Sequence, residues 1–366
     1  MVTTYPIDSL TIEGFQSIKD LTDFQLKGLN VLIGANGAGK SNFINYFRML
    51  SEMVEGGLQK WVTKRGGADR VLSFGIKETR QLTSRLQFGD NAYQFTLEPT
   101  DAGGFVFVDE LLFYKERYPQ GFSIGSGYTE ARLKNEVIPD RKYWMANYCY
   151  ASISGWKTYH FHDTGETAEM KDYQNIEDDE YLRANASNIA VFLYRLRHEH
   201  RDTYEQIRST VQLAIPFFDD FVLRPRTIDG ANQQVRLLWR QRDSDYPMWP
   251  TQLSDGSLRF ICLTTALLQP DPPSTIIIDE PELGLHPYAI TLLGALMRSA
   301  STRMQLIVST QSVSLLNEFS LDDIIVVERE DGISKFERLK EPSFSYWLED
   351  YSVGEMWEKN IIGGRP

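Results

Sequence analysis

The chain has 366 residues, and its 38 Lys and Arg against 50 Asp and Glu give a formal net charge of −12 at pH 7. This balance excludes a generic nucleic-acid binder, because such binding draws its non-specific affinity from cations, but it leaves a local basic patch open. Hydrophobic residues make up 42% of the sequence, too many for a disordered chain, and the 2 cysteines are too few for a disulfide framework.

The first forty residues are predicted to form two strands and a glycine-rich turn, with a helix following. Residues 7–12 place apolar side chains at a period of two or three, which indicates a strand with one wet face. Residues 29–33 are a short apolar run that stops at Gly34, as in a strand buried on both faces of a parallel sheet. Apolar residues then recur at helical spacing between positions 43 and 54 and predict a helix with one buried stripe.

Further along the chain, strands are predicted at 85–88, 93–97 and 105–114, whereas residues 117–178 show no clear period. One long helix or two joined helices are predicted from 181 to 215, ended by Pro216 because proline lacks an amide donor. The C-terminal third alternates strands and helices, which favours an α/β sheet of mostly parallel strands. The elements predicted there are strands at 221–224, 234–239, 275–278, 305–309 and 324–327, and helices near 257–268, 288–300 and 314–318.

The glycine-rich turn carries the strongest motif. Residues 34–41 match G-x-x-x-x-G-K-[ST] at every fixed position and lie between a predicted strand and a predicted helix. Glycines let such a loop wrap around a phosphate with its backbone amides, and the helix adds its positive dipole end. In this pattern the Lys40 ammonium reaches the β- and γ-phosphates and the Ser41 hydroxyl binds Mg²⁺. The predicted nucleotide-binding residues are Gly34, Asn36, Gly37, Ala38, Gly39, Lys40, Ser41 and Asn42.

A second motif is an apolar strand that ends in two acids, residues 276–280. A carboxylate at the carboxyl end of such a strand lies in the crevice where α/β sheets bind ligands. Asp279 is predicted to hold Mg²⁺ through its water shell, and Glu280 to orient or deprotonate the attacking water. We therefore predict Lys40, Asp279 and Glu280 as catalytic residues, and Ser41 and Asp279 as the residues that hold the metal.

Five further segments accompany these motifs: residues 10–15 (LTIEGF), 253–257 (LSDGS), 278–287 (IDEPELGLHP), 309–312 (STQS) and 354–360 (GEMWEKN). Their order resembles the ABC-type ATPases of the SMC, RecF and OLD group, and more closely the small AAA-15 and AAA-21 types of prokaryotes. The resemblance covers roughly the first hundred and the last hundred and fifty residues, and the middle of the chain carries little of it.

In that group a signature segment, which corresponds to residues 253–257 here, completes the nucleotide site of a second subunit. The resemblance implies that Ser254 and Gly256 touch the γ-phosphate across a head-to-tail homodimer that holds ATP and Mg²⁺. The residues alone leave a plain helix N-cap open for Ser254. The resemblance also puts Gln311 at a switch position where a glutamine can position a water but cannot take its proton. It further implies a glutamine ligand to Mg²⁺, for which Gln81 and Gln87 are both candidates.

The implied fold is an α/β P-loop head of the ABC type, with a mostly parallel core sheet, flanking helices and an antiparallel β portion. Residues 1–115 are expected to form the N-terminal lobe, 116–216 an inserted lid of mixed and helical structure, and 217–366 the C-terminal lobe. The insert shows no heptads and is too short for a coiled-coil arm.

The leading functional prediction is an ATPase that dimerises on ATP and drives or licenses an effector such as a nuclease, in DNA repair or phage defence. An ATP-binding sensor with little turnover that controls a partner nuclease or toxin is the alternative. A transporter cassette is disfavoured, because the chain lacks the LSGGQ form of the signature and has Gln311 at the switch. No apolar run is long enough to cross a bilayer, so we expect a cytoplasmic protein without a membrane partner.

Two weaker features leave alternatives open. His160 and His162, next to Asp163, have a strand-like spacing that would place them on one face, but two histidines are too few for a zinc site. A basic cluster at 195–201 fits a solvated, salt-bridged helix face better than a nucleic-acid contact. Nucleic acid thus remains a possible partner that the net charge does not support.

Overall fold

Two six-stranded sheets organise the chain, which a computed structural model describes for residues 5–138, 144–228 and 232–365. The strands are β1 (Ser9–Phe15), β2 (Ile18–Gln25), β3 (Leu29–Ile33), β4 (Leu82–Phe88), β5 (Asn91–Pro99), β6 (Phe105–Tyr114), β7 (Tyr118–Gly125), β8 (Trp156–Tyr159), β9 (Gln174–Asn175), β10 (Phe218–Val222), β11 (Arg226–Ile228), β12 (Asn232–Val235), β13 (Leu238–Gln241), β14 (Pro247–Met248), β15 (Thr275–Asp279), β16 (Gln305–Ser309), β17 (Ile324–Glu330) and β18 (Ile333–Arg338).

The helices follow the same chain order. They are α1 (Lys40–Val54), α2 (Leu58–Lys64), α3 (Ala68–Val71), α4 (Met145–Ser154), α5 (Ile189–Glu199), α6 (Arg201–Ala214), α7 (Asp255–Leu268), α8 (Pro287–Ala300), α9 (Val313–Leu316), α10 (Ser345–Leu348) and α11 (Val353–Glu358). Among the described residues, no helix is both long enough and apolar enough to cross a membrane.

The first sheet is antiparallel and has the order β2-β1-β4-β5-β6-β7. Its strands alternate buried and partly exposed side chains, as in β4, where every second residue from Leu82 to Phe88 is buried. This period of two arises because successive side chains point to opposite faces of a strand. The buried face packs against α1 and the short helices that follow it.

The second sheet has the order β18-β17-β3-β16-β15-β8, parallel except for the β17–β18 hairpin. Its central strands β3 and β16 are buried at every position, as expected where helices cover both faces of a parallel sheet. Ile277, Ile307 and Ile325 face the α1 side, while Ile276 and Ile278 face the helices α5 to α8. The carboxyl ends of β3, β15 and β16 therefore meet at one edge, beside the start of α1.

Residues 116–216 are divided among these layers. Strand β7 completes the antiparallel sheet, α4 packs on α1, β8 forms an edge of the parallel sheet, and α5 and α6 join the helical layer. The boundaries predicted at 116 and 216 therefore do not separate a lid from the two lobes.

The helical stretch predicted from residue 181 begins later, at Ile189, and consists of two joined helices, which was one of the two predicted alternatives. The stretch before α5 is a loop folded around the buried Asn188 side chain, which bonds the backbone of Asp178, Tyr181 and Arg183. The chain then bends at His200, between α5 and α6.

Candidate functional site

The glycine loop connects β3 to α1, as the motif predicts. Gly37 and Gly39 have φ values of 78° and 120°, which L side chains rarely adopt, and a Cβ on Gly39 would collide with the Ser334 hydroxyl. Among the described residues no side chain caps the first turn of α1, so its amides are available to an anion. The loop therefore has the backbone geometry of a phosphate cradle.

Lys40 points back over this loop. Its Nζ donates to the carbonyl oxygens of Gly34 at 2.6 Å and Ala35 at 3.0 Å, and the side chain is buried. Burial lowers the pKa of Lys40 from its usual range, and the negative charges of Glu280 and Asp279 oppose this shift. The Lys40 ammonium thus lies between the loop and the two acids. The carbonyl oxygens of Gly34 and Ala35 accept the hydrogen bonds that the ammonium would otherwise donate to a phosphate.

Asp279 and Glu280 lie at the carboxyl end of β15, the strand next to β16 and one removed from β3. The Glu280 amide donates to the Ser309 carbonyl at 2.8 Å, and the residue has a φ of 45°, in the left-handed region. Such backbone strain in a residue other than glycine is concentrated at functional sites. The local fold therefore aims the Glu280 carboxylate at the glycine loop.

Gln311 links the loop to this acid. Its Nε2 donates to the Asn36 Oδ1 at 2.7 Å and to the Glu280 Oε1 at 3.1 Å. All three side chains lie at one cavity of about 220 Å³. We call it the P-loop cavity. It is lined by Asn36, Gly37, Gly39, Lys40, Ser41, Asn42, Glu280, Ser309, Gln311 and Arg329.

The donor set fits a hydrated Mg²⁺ with a phosphate. Ser41 is exposed at the start of α1, Asp279 is partly buried, and the buried Ser309 hydroxyl at the cavity has no hydrogen-bond partner among the described residues. Within the same residues, no group of three His, Cys, Asp or Glu side chains could hold a metal alone. Mg²⁺ usually keeps several waters and takes one or two protein oxygens together with substrate phosphates.

Ser254, which is exposed, and Gly256, which is buried, lie elsewhere on the chain. The Ser254 hydroxyl caps α7 by accepting from the Ser257 amide at 3.1 Å, so the N-cap alternative describes its role within one chain. Gly256 packs so closely on the Gly284 carbonyl that a Cβ would collide with it. Neither residue lines the P-loop cavity of its own chain.

Sequence reasoning missed Arg259, which joins three segments. Its guanidinium donates to the carbonyls of Phe161, at 3.0 Å, and Leu283, so it ties the signature helix α7 to the end of β8 and to the segment after Glu280. The residue is buried, and burial lowers its pKa. The sequence feature that could have identified Arg259 is its position inside an otherwise apolar helical stripe.

Two other residues at the site were also missed. Arg329, on β17, donates to the Gly37 carbonyl at 3.1 Å and lines the cavity. Glu282 is buried, and its Oε1 accepts from the Thr310 hydroxyl at 2.6 Å and the Gln311 amide at 3.2 Å. Burial raises the pKa of Glu282. This carboxyl group therefore fixes the backbone of the Gln311 segment.

The candidate glutamine ligands are not at the cavity. The Gln87 amide donates to the carbonyls of Gly89 and Asn91, at the far end of β4, and Gln81 precedes that strand. Neither lines the P-loop cavity. Instead β8 pairs with β15 in parallel, with Tyr159 opposite Ile278, so His160 follows at the same sheet edge as Asp279.

A larger cavity of about 790 Å³ adjoins the P-loop cavity and shares Asn42 and Arg329 with it. Phe74 projects into its lining with half of its surface exposed and with a φ of 59°. The loop around Phe74 is pinned by backbone bonds from Ser73 to Gly14 and from Thr79 to Gly75, both 3.0 Å. The backbone that carries the exposed ring is thus fixed beside the phosphate cradle.

A protein-family model described as "AAA domain, putative AbiEii toxin, Type IV TA system" matches residues 29–317. Two solved structures are similar to the chain at 15% sequence identity. One is an SMC head bound to the C-terminal winged-helix domain of ScpA, with a TM-score of 0.62 over 93% of this chain and 99% of that chain. The other is a Pyrococcus furiosus SMC head with an extended coiled coil, bound to the C-terminal domain of ScpA, with a TM-score of 0.56 over 94% and 99%.

At that identity the structural likeness concerns the fold, and it confirms the predicted α/β P-loop head. No curated protein matches the sequence. The family match spans the glycine loop, the signature segment and the acidic strand end, which confirms the predicted family group. The chain therefore belongs to this family of AAA domains and has the P-loop ATPase fold of the SMC-head group.

Proposed function

We propose that the protein binds ATP with Mg²⁺ at the P-loop cavity and hydrolyses it between two head-to-tail subunits. The observation that carries the proposal is that Lys40, Ser41 and Glu280 from distant parts of the chain converge with Gln311 on one cavity. Lys40 would neutralise the β- and γ-phosphates, and Ser41 and Asp279 would hold the metal, which supplies charge neutralisation when bound. Glu280 would take the proton of the attacking water, with Gln311 positioning both.

The surface near the signature supports a second subunit. Leu283 and Tyr288 are exposed apolar residues beside the Gly284 that contacts Gly256, and Trp249 is exposed just before the signature. Exposed apolar residues grouped around polar ones are typical of a protein interface. A partner there would place Ser254 and Gly256 against the other subunit's γ-phosphate.

For the biological role we propose that ATP-driven dimerisation licenses an effector, such as a nuclease or a toxin, in DNA repair or phage defence. This setting is supported by the family resemblance, and the family description, which mentions a toxin of a toxin–antitoxin system, is compatible with it.

The first test is Lys40→Ala. We expect ATP affinity to fall by about 100-fold, because Lys40 supplies charge-assisted contacts worth roughly 1.5–3 kcal/mol. Titration of a fluorescent ATP analogue measures this change, and Lys335→Ala, an exposed lysine on β18, is the matched control. Equal affinity of Lys40→Ala and wild type would contradict the proposed site.

The adjoining cavity is proposed to hold the nucleoside. Glu280 and Gln311 lie at the γ-phosphate end of the site. The nucleoside of a bound ATP would therefore extend in the opposite direction, past Asn42, where the two cavities join. An aromatic ring that stacks on a base contributes roughly 1–3 kcal/mol. Phe74 is the exposed aromatic residue of that lining.

We expect Phe74→Ala to weaken ATP binding about tenfold while leaving tripolyphosphate binding unchanged, because only the nucleoside contacts the ring. Calorimetric titration of both ligands measures the difference. Tyr346→Ala, which removes an exposed aromatic ring on α10, is the control. Equal losses for ATP and tripolyphosphate, or no loss, would contradict the assignment of the nucleoside to this cavity.

A further inference from the structure

A basic groove lies away from the P-loop cavity, between α1, α2 and the edge strand β8. Its volume is about 520 Å³. We define this α1–α2–β8 groove by its five cationic side chains, which come from three separate segments of the chain: Arg48, Lys60, Lys64, Arg65 and Lys157.

The two acids that line the groove, Glu52 and Glu55, form no ion pair with these cations. Glu55 is already engaged by the Lys134 ammonium at 2.6 Å and the Tyr150 hydroxyl at 2.7 Å. Within the described part of the chain, none of the five cations lies within 4 Å of a carboxylate oxygen. The basic cluster at 195–201 differs, because its Arg201 pairs with Glu205.

Gathering like charges in this way has a cost. Burial, together with the neighbouring charge of Arg48, lowers the pKa of Arg65 against the opposing charge of Glu52, and burial lowers the pKa of Lys157 against that of Glu55. The cost is unusual in a chain with a net charge of −12, where acids to pair with are abundant. Cations left unpaired at close quarters favour an anionic ligand that carries several charges.

We propose that the α1–α2–β8 groove binds the phosphate backbone of a nucleic-acid strand. Arg65 lies over the Trp61 ring at 3.8 Å, an arrangement that holds a guanidinium plane in place, and a fixed guanidinium suits bidentate contact with phosphate oxygens. The two tryptophans of the lining, Trp61 and Trp156, are buried and offer no stacking surface to a base. Contacts therefore go to the backbone and are insensitive to sequence.

An acidic protein segment is the less favoured occupant. Protein partners are usually anchored by an apolar or aromatic residue in a pocket. None of the exposed large apolar side chains of the described residues lines this groove. A phosphodiester chain needs no such anchor, since its affinity comes from charge.

The test is the charge reversal Lys60→Glu with Lys64→Glu in the full-length protein; both lysines are exposed on α2 and lie outside the proposed ATP machinery. The probes are a fluorescein-labelled oligo(dT) strand of about 30 nucleotides and a duplex of the same length, followed by anisotropy at several salt concentrations. We expect salt-dependent binding by the wild type, an affinity about tenfold lower in the variant, and a salt slope smaller by about 2.

The matched control is Lys335→Glu with Lys340→Glu, on and just after β18, at the opposite edge of the parallel sheet from β8. It should bind within about twofold of wild type, since charge beyond a Debye length is screened. ATP turnover should be unchanged in both double variants, so the inference stands or fails separately from the proposed ATPase. The proposal is overturned if the wild type binds neither probe at low salt, or if the two double variants lose affinity equally. Displacement of the DNA by polyglutamate as readily as by unlabelled DNA would assign the groove to acidic proteins and overturn it as well.

Discussion

Glu280→Gln is expected to lower ATP turnover by about 10²–10⁴-fold and to trap the protein as an ATP-bound dimer. The substitution keeps the size of the side chain and an oxygen that can accept the bond from Gln311 Nε2, now 3.1 Å from the carboxylate. What it removes is the capacity to take a proton from water, and general-base catalysis accounts for a rate factor of this size. Nucleotide binding should survive because the lysine and the glycine loop are unchanged.

The measurements are phosphate release and light scattering. With ATP and Mg²⁺ the variant should scatter at twice the chain mass of 42.1 kDa, and without nucleotide as a monomer. Glu337→Gln, an exposed glutamate on β18, is the control and should behave as wild type. Scattering from monomer alone in the presence of ATP would contradict the dimer. Negligible wild-type turnover at saturating ATP would favour the alternative of a sensor that controls a partner.

The P-loop half of the site was predictable because it is contiguous in sequence. The strand, glycine loop and helix around Lys40 follow one another directly, and each has a local signature that tertiary context does not override. The same holds for the acidic end of β15, where a run of three isoleucines stops at two acids. The parallel strands β3 and β15, with β16 between them, then bring these two motifs to one sheet edge.

Strand β8 could not be predicted in the same way. It has four residues, one of them a lysine, and no alternation that a window could detect. It is a strand because β15 offers it a parallel edge to pair with, which is a tertiary effect. For this reason the sequence points to Gln81 and Gln87 as candidate Mg²⁺ ligands beside Asp279, whereas the fold brings His160 to that sheet edge.

The groove and the nucleoside cavity show a related limit. Arg48, Lys60 and Lys157 are scattered over more than a hundred positions and come together only in the folded chain. Phe74 looks like an ordinary core residue in sequence, and its exposure follows from a turn with positive φ at a residue that is not glycine. Side chains that face solvent or a ligand instead of the core produce no hydrophobic periodicity in the sequence.

The second large effect concerns two inactive variants that should restore each other. Lys40→Ala removes the phosphate contact of the P-loop, and Ser254→Arg places a bulky cation on an exposed signature residue without disturbing the core. Each protein alone should turn over less than about 1% of the wild-type ATP, because every site in its dimer is defective. Mixed in equal amounts they should recover about a quarter of wild-type turnover.

The recovery follows from the symmetry of a head-to-tail dimer. Half of the randomly paired dimers are mixed, and each mixed dimer combines one intact P-loop with one intact signature from the other chain. Mixing Lys40→Ala with Glu280→Gln is the control for simple exchange of subunits, because both changes lie on the P-loop side and no mixed dimer then contains an intact site. If the signature acted within its own chain, no pairing could assemble an intact site, and the mixture would be as inactive as its parts. Ser254 does not line the P-loop cavity of its own chain, which makes the first outcome the expected one.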